Sequence, residues 1–329
     1  MNLAFPPARA ILLLAALSWL AACAASAPAP GPEAGAAVLP ERVWQPKGEP
    51  RAVIVAVHGM NDHKGAFAMF GEFAAARGLR VVAYDQRGFG ENPDRGSWPG
   101  ADRLVANLRE KVARERRRFP GLPLFVLGES MGAAVAILAF SDEAPPLPNG
   151  LVLSAPAVWG GAAFNPLYRF VLWVAARLFP DMELTGESLG RRASDNIEML
   201  RALARDPLFI KRTRVRVIEG VVGLMDEASR RAEAVRPPTL VLVGRRDEIV
   251  PPRVQLAFAA RIRAPCTLAL YPDGWHMLLR DLQRRRVWED ILAWVDGRAP
   301  PSGLARPCAQ APPVRTALLR PGEAAPLSP

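Results

Sequence analysis

The sequence predicts an α/β fold, a mostly parallel sheet with helices on both faces and an inserted helical cap. Three observations predict it. Six short apolar runs each end in a turn, as strands buried on both faces do. Helix-period stretches separate most of them, and strand–helix–strand repeated this often closes into a parallel sheet with right-handed crossovers. The rhythm stops between about 157 and 235, where Arg-rich helical sequence runs on with no evident strand. An insertion there lies over the carboxyl ends of the strands, where such sheets bind their ligands.

Taken in order, the first strand is "AVIVAVHG" (52–59), followed by a helix over 65–77 and "LRVVAYD" (79–85). A helix over 101–118 leads to "LPLFVLG" (122–128), and a helix over 131–140 leads to "GLVLSAP" (150–156). Beyond the cap come "PTLVLVG" (238–244), a helix over 252–263, "CTLALYP" (266–272) and a helix over 284–296. The domain reading is therefore a core of 39–156 and 236–298 with a cap of 157–235. Residues 299–329 are rich in Ala, Pro and Gly and are expected to be a disordered tail.

The N-terminus carries a different signal. Arg9 precedes an apolar run from Ala10 to Leu20, too short for a lasting bilayer span but suited to a secretory segment. Leu20-Ala21-Ala22-Cys23 then resembles the lipobox of bacterial lipoproteins, in which the cysteine is lipidated. Residues 1–22 would be the signal peptide and 23–38 a flexible tether. The expected location is the bacterial cell envelope, lipid-anchored at the outer membrane and facing the periplasm. Plain secretion with a cut near "ASA" (25–27) is the alternative. With Cys23 so used, Cys266 and Cys308 remain as an even pair, free to bridge the tail to the core or to stay unpaired.

A chain of 329 residues, half of them hydrophobic, can bury an ample core. Its net charge of +10 and pI near 10.4 would suit an anionic partner. The basic residues are overwhelmingly Arg in an Ala-rich chain, a composition that GC-rich coding produces unaided. Runs such as 114–118 and 284–286 fall on helices as solvated faces. No nucleic-acid motif is present, so no nucleic-acid partner is expected; the sequence leaves the oligomeric state open.

The stretch "GESMG" (128–132) places Ser130 between two glycines, after a strand and before a helix. Such a turn can be ordinary punctuation with Ser130 as a helix cap. It can also be a nucleophile elbow, in which a strained turn lifts the serine above the sheet. The rest of the chain favours the elbow. A serine hydroxyl needs a base with a pKa near neutrality, and imidazole supplies one. Of the three histidines, His58, His63 and His276, only His276 follows Ser130, as the Ser–acid–His order of this architecture requires. A hydrogen-bonded structural role is its alternative. Asp247, after the strand 238–244, is the preferred acid; Asp273 lies too near His276 along the chain to face the far side of its ring. A structural loop cap is the alternative for Asp247.

Two backbone amides would complete an oxyanion hole: Met131, after the nucleophile, and Met60, in the loop after the first strand. His58 is then expected to support that loop by hydrogen bonding. A metal site from His58, Asp62 and His63 is conceivable, but the spacing matches no zinc motif, and neither metal nor cofactor is expected.

Five motifs in order carry a family resemblance: His58-Gly59…His63…Phe67, "DQRGFG" (85–90), "GESMG", Asp247 and His276. Over roughly residues 50 to 297 the chain resembles α/β-hydrolases of the monoacylglycerol lipase and lysophospholipase group. The resemblance implies a serine esterase or lipase acting on single-chain lipid esters, with Ser130, Asp247 and His276 as its triad. Three departures, Glu129, Ala133 and Glu91, leave that triad intact. Rival readings are an amidase, peptidase or acyltransferase on the same scaffold, or a non-catalytic lipid-binding lipoprotein. In the cap, Leu167, Phe170, Val171, Val174 and Leu178 recur at helical spacing. They read either as a helix packed on the core or as an interfacial helix at an acyl entrance.

Overall fold

A computed structural model describes residues 39–141, 146–160, 166–185 and 190–312. Cys23, with the signal segment and tether, lies outside the described residues, as does the tail from 313 onward. The six apolar runs form the strands β2 (Ala52–Val57), β3 (Leu79–Tyr84), β4 (Leu124–Glu129), β5 (Gly150–Ser154), β8 (Thr239–Gly244) and β9 (Cys266–Tyr271). All six are parallel, in the order β3-β2-β4-β5-β8-β9. Their apolar side chains are buried on both faces, so they read as unbroken hydrophobic runs rather than as alternation. One core cluster lies on each side of the sheet, with Val53, Val55 and Val57 in one and Ile54 and Ala56 in the other.

Two short edge strands flank this sheet, each antiparallel to its neighbour: β1 (Glu41–Trp44) on β3 and β10 (Ala305–Pro307) on β9. β10 corrects the expectation of a disordered tail over its first part. Residues 299–312 are placed, and a disulfide between Cys266 and Cys308 ties the end of β10 to the start of β9.

The core helices are α1 (Ala68–Ala75), α2 (Ala101–Arg118), α3 (Met131–Ala139), α7 (Pro252–Ala259) and α8 (Arg284–Val295). Between β5 and β8 the chain forms α4 (Pro166–Leu178), β6 (Glu183–Thr185), α5 (Ile197–Arg205), β7 (Arg212–Arg214) and α6 (Val215–Arg230). Two features differ from the expected purely helical cap. β6 and β7 pair as a small antiparallel ribbon. α6 turns Val217, Val221 and Leu224 into the core cluster and packs on α3, so part of this insertion belongs to the core.

On α4 only Ala176 is buried, while Leu167, Phe170 and Val171 stand in solvent and Leu178 is 66 % exposed. Phe170 and Trp173 stack on this helix, and the Arg177 guanidinium lies 3.9 Å over the Trp173 ring. Among the described residues no helix is long and apolar enough to cross a membrane.

Candidate active site

Four strand ends build the site. Register aligns Val57 of β2 with Gly128 of β4, and Gly244 of β8 with Tyr271 of β9, so the loops after these strands emerge on one rim. Ser130 sits directly after β4 at φ 54°, a left-handed conformation that a residue bearing Cβ adopts only under constraint. The constraint is visible in the backbone. The Ser130 amide donates to Ser154 O at 2.9 Å, and the Ser130 carbonyl accepts from Ala133, Ala134 and Ala157. The flanking glycines are sterically required: a Cβ on Gly128 would lie 2.5 Å from Ala133 Cα, and one on Gly132 would lie 2.0 Å from Val57 O. The elbow reading of this pentapeptide is therefore the one the fold adopts.

His276 Nε2 lies 3.0 Å from Ser130 Oγ, and Nδ1 lies 2.8 Å from Asp247 Oδ2. A carboxylate can only accept, so Nδ1 carries the proton and Nε2 is left to accept from the serine hydroxyl. Asp247 is fixed in turn by the Ile249 and Val250 amides on Oδ1, each at 2.9 Å, and by Gln255 Nε2 on Oδ2 at 2.8 Å. Burial pulls the His276 pKa down. The Asp247 carboxylate, by charge and hydrogen bond and with Glu129 behind it, outweighs that effect and holds the imidazole above its ordinary value. Asp273 is exposed and pairs with Arg246 instead, which leaves Asp247 as the carboxylate on the ring.

Met131 follows Ser130 at the start of α3, and Met60 follows Gly59, on which a Cβ would lie 3.3 Å from Ser130 Cβ. Among the described residues, neither backbone N–H donates to a protein acceptor. His58 is wholly buried; its Nδ1 meets Gly59 O at 2.8 Å, and its Nε2 accepts from the Gln86 amide at 3.0 Å. Burial lowers its pKa, so it stands neutral as a brace for the loop. His63 Nδ1 accepts from the Gly65 amide and its Nε2 meets Asp206 at 3.0 Å. Asp62 faces Arg280, so His58, Asp62 and His63 point to three different partners rather than to one centre.

Three groups beside the triad escaped the sequence. Gln255, on α7, holds Asp247. Glu129 and Asp62 share the buried Arg280 guanidinium, at 3.0 Å and 2.6 Å. Asp281 accepts from Ser194 Oγ at 2.6 Å and from the Trp275 amide at 2.8 Å, joining the middle of the cap to the histidine loop. The departure at Glu129 from the family pattern was the one signal available for this cluster.

A family model described as "Serine aminopeptidase, S33" matches residues 48–283. The chain is 28% identical over 257 residues to a monoacylglycerol lipase of Mycolicibacterium smegmatis, covering 77% of this chain and 91% of that protein. It is 29% identical over 276 residues to the human monoglyceride lipase, covering 81% and 89% of the two chains. In structure it is similar to the monoacylglycerol lipase of Paleococcus ferrophilus, with a TM-score of 0.67 at 22% identity over 79% of this chain and 98% of that one.

Proposed function

The chain belongs to the family described as serine aminopeptidase, S33, and from that premise we propose that it cleaves esters of monoacylglycerol or lysophospholipid type through an acyl-enzyme on Ser130. It is a carboxylic ester hydrolase acting on lipids. The observation that carries the mechanism is the hydrogen-bond chain Ser130–His276–Asp247 on a serine held at φ 54°. His276 Nε2 takes the hydroxyl proton as Oγ attacks the ester carbonyl, and Asp247 stabilises the imidazolium that forms. The amides of Met60 and Met131 receive the oxyanion. Collapse expels the alcohol, which takes its proton from His276, and water repeats the sequence on the acyl-enzyme.

Single-chain substrates suit the surface of α4. An apolar face of Leu167, Phe170, Val171 and Leu178 left in solvent fits contact with aggregated acyl chains. The lipid anchor at Cys23 is part of the same reading and rests on Leu20-Ala21-Ala22-Cys23 alone. It would hold the enzyme at an envelope membrane, where such substrates collect.

Purified protein lacking residues 1–23 is to be assayed on monoacylglycerols, lysophospholipids, diacyl lipids and aminoacyl anilides. Single-chain esters should lead. Ser130→Ala should lose on the order of 10⁴-fold or more in turnover and all labelling by a fluorophosphonate. Preference for the aminoacyl anilides would replace the lipase reading with a peptidase one. A Ser130→Ala variant keeping a tenth of the activity would remove Ser130 from the mechanism.

A further inference from the structure

We propose that Arg280 is a positioning residue that holds the nucleophile elbow and the oxyanion loop in one register. The inference rests on the ester hydrolase reading and adds a component to it. Arg280 follows His276 by four residues, in a turn closed by its own amide on Met277 O at 2.8 Å. Its Nη2 donates to Asp62 Oδ2 at 2.6 Å and to Glu129 Oε2 at 3.0 Å. Asp62 lies two residues beyond Met60, and Glu129 immediately precedes Ser130. One guanidinium nitrogen therefore ties together the loops that carry the base, the nucleophile and an oxyanion donor.

The cluster is poorly explained as a stability device. Arg280, Asp62 and Glu129 are 5 %, 2 % and 2 % exposed, so all three have left water. Arg280 Nε and Glu129 Oε1 are buried without a hydrogen-bond partner. Burial raises the Glu129 pKa, with Arg280 opposing and Asp62 reinforcing that rise. A buried ionic cluster left partly unsatisfied is often no better for stability than apolar packing; fixing register is its best-attested use. The loop it grips needs fixing. Asn61 sits at φ 66°, and among the described residues the neighbouring Met60 amide has no protein acceptor to hold it. Asp62 is one of its anchors, with Oδ2 on Arg280 and Oδ1 on the His63 amide at 2.9 Å. The inserted segment holds Asn61, whose carbonyl accepts from the Ile210 amide at 2.9 Å and whose Nδ2 donates to Thr213 Oγ1 at 2.8 Å.

Arg280→Met alone would strand two buried carboxylates and risk misfolding. The decisive variant is therefore the neutral triple, Asp62→Asn with Glu129→Gln and Arg280→Met, compared with Arg280→Lys and the wild type. Lysine keeps the charge, but its ammonium ends about one bond short of the guanidinium nitrogen. The readouts are Tm, the kcat and KM for a soluble short-chain ester, and the rate of fluorophosphonate labelling. A folded triple variant should lose about 10²-fold in kcat and in labelling rate, as ångström-scale misplacement of reacting groups does, with KM little changed. Arg280→Lys should recover part of that loss. A folded triple variant with kcat and labelling rate near wild type would overturn the proposal, as would a change confined to KM. If the wild type labels with the probe yet leaves every ester intact, the hydrolase reading fails, and the labelling ratio still decides the role of Arg280.

Discussion

Around the His276 ring three charges compete: Asp247 and Glu129 favour its proton, and Arg280 disfavours it. Burial also disfavours the proton, yet the net direction is upward. Activity on a soluble ester should therefore rise with pH through an apparent pKa above the ordinary histidine value of about 6.5, because the base must be neutral to act. Glu129→Gln removes one of the charges that holds the proton on. Its rising limb should shift to lower pH, while Arg280 keeps Asp62 as partner. An unmoved or upward-shifted limb would show that Glu129 does not reach the imidazole electrostatically. The hydrogen-bonded contact of Ser130, His276 and Asp247 was legible in the sequence because the proposed chemistry needs scarce residue types in a fixed order, and this chain has one histidine after its elbow. Glu129, Asp62 and Arg280 were not. In sequence a lone Glu or Arg looks like a solvated side chain, and only folding brings the three into one buried contact.

Strands, helices and the loops between them show the same division. The six parallel strands were readable because a strand buried on both faces is an unbroken apolar run. β1, β6, β7 and β10 read "ERVW", "ELT", "RTR" and "ARP", short and polar, and owe their pairing to neighbours distant in sequence. The tie between cap and histidine loop was equally hidden. Asp281 is pushed up to about 7, chiefly by burial; Ser194 and the Trp275 amide oppose the rise, and the Asp195 and Glu129 charges add to it. The folded state thus keeps a proton that the unfolded chain gives up near the ordinary carboxylate value of about 3.9. Between those two pH values stability falls as pH rises, and above about 7 the loss is complete. Asp281→Asn mimics the protonated form. Thermal melts should show the wild type losing more Tm than Asp281→Asn between about pH 5 and pH 8. Equal losses would mean that Asp281 does not titrate in this range.

For the molecule as a whole, the central sheet is closed at one end by a covalent link. The Cys266–Cys308 bond spans 42 residues of chain, and loop-closure arguments give such a link about 3–4 kcal/mol against the unfolded state. Cys308→Ser should therefore lower Tm clearly while leaving kcat close to wild type, because the bond lies at the start of β9 and the triad at the opposite ends of the strands. A large fall in kcat at a temperature where the variant is fully folded would refute that separation.

β10 is three residues long and ends at Pro307, which has no N–H to offer a further strand. Resting on β9, it conceals a row of backbone donors and acceptors that would otherwise invite another chain to pair. Severing the link should let β10 peel away and turn β9 into a template for self-association. Reductant would then make the protein aggregate in a concentration-dependent way before it unfolds, and a few residues at the end of the described chain would decide whether the enzyme stays dispersed.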